Sequence, residues 1–147
     1  MKMPHPPGIL MIEDNPGDIQ ILRRCFDKNG WEYELEILRD GEEALKFIQS
    51  HHADVLTDGQ PPCVIVLDIH LPKVNGVSVL KAIKEDYLLG HVPVVMLSTM
   101  VSPAEKETLL SLGADLYREK PFELDGFVSL SEEIMAICKE EALRAAV

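Results

Sequence analysis

Three runs of this chain are apolar from end to end: GILMI at 8–12, CVIVL at 63–67 and VPVVML at 92–97. A strand with one solvated face alternates apolar and polar side chains, so unbroken runs of this length belong to strands buried on both faces. Between them the spacing changes. Ile19, Leu22, Cys25 and Phe26 recur at helical intervals up to a stop at Gly30, and Val77, Leu80 and Ile83 do so after Asn75. DGEEALKFIQSHH opens on Asp40, with Glu43 three residues on as its capping-box partner. SPAEKETLLSLG starts on Ser102, puts Pro103 at the first helical position and ends at Gly113. YELEILR (33–39) does alternate, with Tyr33, Leu35 and Ile37 on one face, which predicts a strand near an edge. ADLYREK supplies a fifth strand, and the last 25 residues read as a helix able to run past the domain body. ADVLTDGQPP (53–62) reads as a loop or a frayed helix end.

Strand and helix therefore alternate five times, the pattern of a parallel sheet covered by helices on both faces. Right-handed crossovers leave few topologies. An edge position for the second strand selects the flavodoxin-like, doubly wound order 2-1-3-4-5. The 147 residues, 46% of them hydrophobic, suit one core. The expected organisation is a lead-in over 1–7 and a single domain over 8–147 that includes a C-terminal helix extension.

The formal net charge of −11 opposes direct binding to nucleic acid or to anionic membranes, both of which need clustered Lys and Arg. Cys25, Cys63 and Cys138 are far apart and odd in number, and read as free thiols in a reducing compartment. No apolar run reaches the ~20 residues of a membrane span, and MKMPHPPG is too rich in proline for a signal peptide. The expected location is the cytoplasm.

In a sheet of this order the C-terminal strand ends share one rim. The first strand ends in Glu13-Asp14, the third in Asp68, the fourth in Ser98-Thr99 and the fifth in Lys120-Pro121. Crowded carboxylates repel, and at least one holds its proton more tightly unless a cation sits among them. Oxygen-only donors favour Mg²⁺, which keeps several waters and takes a phosphate oxygen. A carboxylate can also act as nucleophile and become an aspartyl phosphate, with a lysine and a hydroxyl holding the phosphoryl oxygens. Taken singly, Asp68 could instead cap a turn, Glu13-Asp14 could be solvated, and Ser98 and Thr99 could bond backbone.

IEDN, LDIHLPKVNG, PVVMLST and GADLYREKPF, in this order and spacing, resemble the receiver domain of two-component response regulators from about Gly8 to about Cys138. The resemblance implies a signalling domain rather than a turnover enzyme. It would accept a phosphoryl group from a histidine kinase or phosphotransfer protein. It implies Asp68 as phosphoacceptor, and Glu13, Asp14 and Asp68 as Mg²⁺ ligands together with the backbone carbonyl of His70. Ser98 and Lys120 would bind the phosphoryl group, and Ser98 and Tyr117 would act as switch residues. A cis bond at Lys120-Pro121 would aim the lysine inward. Output would pass to a downstream protein or to a homodimer through the face of the fourth helix, fifth strand and fifth helix. Thr99 stands where many relatives have alanine, which leaves the dephosphorylation rate open. The stretch from Leu56 to Pro62, with IEDNPGD, is similar to a subgroup of single-domain regulators paired with phytochrome-type kinases.

Rival readings lack parts. A haloacid-dehalogenase-type phosphatase needs a second acid two residues after the first, where this chain has His70. A dinucleotide or flavin enzyme needs a phosphate-cradling loop after the first strand, where EDNPGD would repel phosphate. A docking module that has lost phosphorylation would lack the acids or the lysine, and all are present. His5, His51, His52 and His91 have no partner at metal spacing, and Trp31 reads as packing beside the first helix.

Overall fold

The computed structural model describes residues 6–50, 61–100 and 102–145. Five strands and five helices alternate: β1 (Gly8–Ile12), α1 (Pro16–Lys28), β2 (Glu34–Leu38), α2 (Gly41–Gln49), β3 (Val64–Asp68), α3 (Gly76–Glu85), β4 (Val94–Ser98), α4 (Pro103–Ser111), β5 (Leu116–Glu119) and α5 (Leu124–Ala145). All strand pairs are parallel, in the order β2-β1-β3-β4-β5. The expected topology is thus the observed one. Most of 53–62, and His5, His51 and His52, lie outside the described residues.

Every residue of β1, β3 and β4 is buried, and successive side chains feed opposite layers. Leu10, Ile12, Ile65, Leu67, Val94 and Met96 pack towards α2, α3 and α4, among Phe47, Leu80, Ile83 and Leu109. Ile9, Met11, Val64, Val66, Val95 and Leu97 pack towards α1 and α5, among Leu22, Phe26, Phe127 and Ile134. The edge strand β2 alternates exposed and half-buried residues before Leu38, as its sequence requires. Trp31 is half-buried beside this second layer, and the Lys139 ammonium from α5 lies 3.6 Å from its ring centroid.

The helix starts follow their caps. The Asn15 side chain accepts from the backbone of Gly17 and Asp18, Asp40 from Glu43, Asn75 from Ser78 and Ser102 from Glu105. The Glu43 carboxylate returns to the Arg39 N–H rather than to that of Asp40.

The reading of all three cysteines as free thiols is corrected. Cys63, at the foot of β3, and Cys138, on α5, form a disulfide with Cα atoms 4.9 Å apart, and Cys25 alone is free. The pair was hidden because its members lie 75 residues apart. Only the packing of α5 under the sheet brings them together.

Gly76 shows how closely the start of α3 approaches the end of β3. Its N–H donates to the Ile69 carbonyl at 2.8 Å. A methyl group there would collide with the Asp68 carbonyl oxygen and lie 2.7 Å from Ile69 Cα. Both obstacles are backbone, so no side-chain rotation relieves them. Gly76→Ala is expected to cost about 2 kcal/mol or more in urea unfolding. A loss of only a few tenths would mean that the turn adjusts freely.

Candidate functional site

Glu13 directly follows β1, and its side chain is almost fully buried. One carboxylate oxygen, Oε2, accepts from the backbone N–H of Asp14 at 3.0 Å and of Asn15 at 3.2 Å. The other, Oε1, lies 2.6 Å from Lys120 Nζ, but off hydrogen-bond geometry. Asp68 closes β3 and is 3% exposed. Its Oδ1 accepts from the His70 N–H at 3.1 Å, and Lys120 Nζ lies 3.3 Å from its Oδ2. Asp14 is exposed beside them, and oxygens of Glu13, Asp14 and Asp68 all fall within 4.8 Å of one another. These three form the one such cluster among the described residues.

Lys120 follows β5, with its side chain only 10% exposed. Its backbone N–H donates to the Ser98 carbonyl at 2.8 Å, which ties the ends of β4 and β5 together. No cis peptide bond occurs among the described residues, so the lysine reaches the acids across an ordinary trans Lys120-Pro121 bond and the expectation of a cis bond is corrected. Sequence reasoning missed its third acidic neighbour. Asp18, in the first turn of α1, places Oδ2 3.0 Å from Lys120 Nζ. Asn15 and Pro16 fix the helix start, and the acid in the first turn faces back to the rim, which its spacing alone did not signal.

A cleft of about 440 Å³ is lined by Asp14, Asn15, Pro16, Asp68, His70, Thr99 and Lys120. Ser98 and Tyr117 do not line it. The fully buried Ser98 hydroxyl donates to the Met100 carbonyl at 3.2 Å and accepts the Met100 N–H at 3.3 Å. Tyr117 is buried, its hydroxyl has no hydrogen-bond partner among the described residues, and the Lys106 ammonium lies 5.7 Å from its ring centroid.

Burial pushes the Glu13 carboxyl up to about 7, with the Asp68 charge adding to the rise and Lys120 opposing it. Burial alone would lower Lys120, but the carboxylates of Glu13 and Asp18 outweigh it and hold the amine above its usual range. The donor set is all oxygen, burial raises one of its members, and Glu13 Oε1 lacks a hydrogen bond among the described residues. A hard divalent cation fits those conditions.

Residues 9–131 match the family profile described as the response regulator receiver domain. The chain belongs to that family.

Relatives of this receiver cover most of its length. A probable methanogenesis regulatory protein, FilR2 of Methanothrix harundinacea, is 33% identical over 126 residues, covering 86% of this chain and 79% of FilR2. The polar-differentiation response regulator DivK of Brucella ovis is 30% identical over 121 residues, covering 82% and 89%. Among solved structures, the Mn(2+)-bound form of the response regulator Rcp1 superposes with a TM-score of 0.77 at 29% identity, covering 89% of this chain and 93% of that one. The bacteriophytochrome response regulator AtBRR gives 0.67 at 34% identity, covering 90% and 94%.

The receiver's raised Glu13 sets a pH dependence for the cation-free protein. Between the ordinary carboxylate value of 4.5 and about 7, the folded chain keeps a proton that the unfolded chain has released. The resulting stability is complete below that window and is lost as pH rises through about 7. The loss amounts to at most about 3 kcal/mol. Thermal melts in a chelator from acid to alkaline pH should show it in the parent and not in Glu13→Gln. Parallel curves for the two proteins would place the titration elsewhere.

Proposed function

We propose that this receiver is a phosphorylation switch with Asp68 as its acceptor. The carrying observation is Asp68 itself: a carboxylate at the end of a buried strand, within reach of both an ammonium and two further acids. A carboxylate oxygen attacks the phosphorus of a phosphohistidine. The P–O bond forms as the P–N bond breaks, and the electron pair leaves on the imidazole. Glu13, Asp14, Asp68 and the His70 carbonyl would hold Mg²⁺, which when bound offsets the charge of the phosphoryl oxygens. Lys120 turns its ammonium to those oxygens, and the Ser98 hydroxyl leaves Met100 for the phosphoryl group. Hydrolysis later returns the carboxylate, with Thr99 lining the path of the water.

Receiver domains interact with histidine kinases and with downstream targets. Here the donor is read as a histidine kinase or phosphotransfer protein, and the likeness to phytochrome response regulators supports a phytochrome-type kinase. The output surface is the face of α4, β5 and α5, where Tyr117 adjoins Lys106 and the Arg118 guanidinium pairs with Glu133 at 3.0 Å. It would meet a downstream protein or a second copy of the chain. No helix among the described residues is long and apolar enough to cross a membrane. A cytoplasmic setting goes with the kinase reading, and there the Cys63–Cys138 bond stands against a reducing thiol pool.

The test is the intact mass of the protein after incubation with MgCl₂ and acetyl phosphate and a rapid quench. One added phosphoryl group, absent when a chelator is present, is the expected result. An unmodified mass under all conditions would favour docking without phosphorylation.

A further inference from the structure

An ammonium offers three N–H donors, and Lys120 faces three carboxylates: Glu13 at 2.6 Å, Asp18 at 3.0 Å and Asp68 at 3.3 Å. Two of these belong to the acid cluster on which the phosphorylation reading rests. Asp18 belongs to neither the cluster nor the acceptor. Once a divalent cation engages Glu13 and Asp68, it competes with the ammonium for two of its three anchors. A lysine head on a four-carbon stem is then a mobile, strongly hydrated point charge.

We infer that Asp18 is a positioning residue that tethers Lys120 at the rim while the other two carboxylates are taken, so that the ammonium is already aimed when a phosphoryl group arrives. The inference rests on the receiver reading and adds a residue to it. The tether itself is well placed. Pro16 and the Asn15 cap fix the first turn of α1, and Asp18 gives only its backbone N–H to that cap, at 3.2 Å. Its carboxylate is free to serve Lys120, at 21% side-chain exposure. Helix α1 therefore keeps its cap in Asp18→Asn.

The first readout is the reactivity of the Lys120 amine, measured in the full chain by trace acetylation with acetic anhydride and peptide mass. In the parent, Lys120 should stay protected with and without MgCl₂. In Asp18→Asn with MgCl₂ it should react about fivefold faster or more, the scale of one lost part-exposed ion pair, while the other lysines are unchanged. Asp18→Glu should restore protection. Equal reactivity of Lys120 in the parent and in Asp18→Asn with MgCl₂ overturns the inference. This readout needs no phosphorylation, so it judges Asp18 even if the parent takes no phosphoryl group.

The second readout is the rate of labelling by acetyl phosphate at saturating MgCl₂. Removal of a negative charge would by itself attract an anionic donor and speed labelling. Loss of aim predicts the opposite, a drop of about fivefold, with no further drop when Asp18→Asn is added to Lys120→Ala. Faster labelling in Asp18→Asn, or an undiminished effect in the Lys120→Ala background, overturns the inference.

Discussion

Asp68→Asn is expected to abolish phosphoryl labelling outright while leaving the fold in place. Asparagine keeps the shape of the side chain, and its carbonyl oxygen can still accept the His70 N–H that Asp68 now takes at 3.1 Å. What it lacks is the nucleophile, because an amide oxygen does not attack phosphorus at a useful rate. The stability change combines opposed contributions. Lys120 loses a carboxylate at 3.3 Å, and Glu13 loses the neighbouring charge that helps to raise it. Their sum should stay within about 1 kcal/mol by urea unfolding. The decisive measurement is the intact mass after acetyl phosphate and MgCl₂, beside the parent. A phosphoryl adduct on the variant would move the acceptor to another residue.

The second large effect concerns the Cys63–Cys138 bond. It spans 75 residues, from the foot of β3 through α3, β4, α4 and β5 into α5. Closing a loop of that size removes conformational freedom from the unfolded chain, and the loop-entropy relation gives about 4 kcal/mol. A domain of ordinary stability would lose a large share of its margin. Reduction, or Cys138→Ser, should therefore lower the thermal midpoint by roughly 10 °C. Thiol titration of the denatured, unreduced protein should find one free thiol, Cys25, against all three cysteines after reduction. Three free thiols before reduction would show the pair unbonded in solution, and the stability difference should then vanish.

The sheet order was legible because each of its determinants is local. Unbroken apolar runs mark β1, β3 and β4, the alternation in β2 marks an edge, and Asn75, Asp40 and Ser102 announce helices at their caps. The convergence of Glu13, Asp14, Asp68 and Lys120 was legible for a related reason: once the strand order is known, strand ends are neighbours. The remainder depends on side-chain geometry that no spacing encodes. The Ser98 hydroxyl turns to the Met100 backbone instead of into the cleft. Lys120 reaches the acids without a cis bond. Asp18 joins the site only because α1 leaves the rim at the angle fixed by Asn15 and Pro16. The disulfide escaped because an odd count of scattered cysteines gives no pairing signal.

The two outer strands bear on self-association. β2 carries the exposed acids Glu34 and Glu36, and β5 is four residues long with exposed Arg118 and Glu119. Open sheet edges are templates on which a second chain can add a strand, and short, charged edges discourage it. Any pairing of two copies of this protein would thus leave the strand edges alone and not continue the sheet from one molecule into the next.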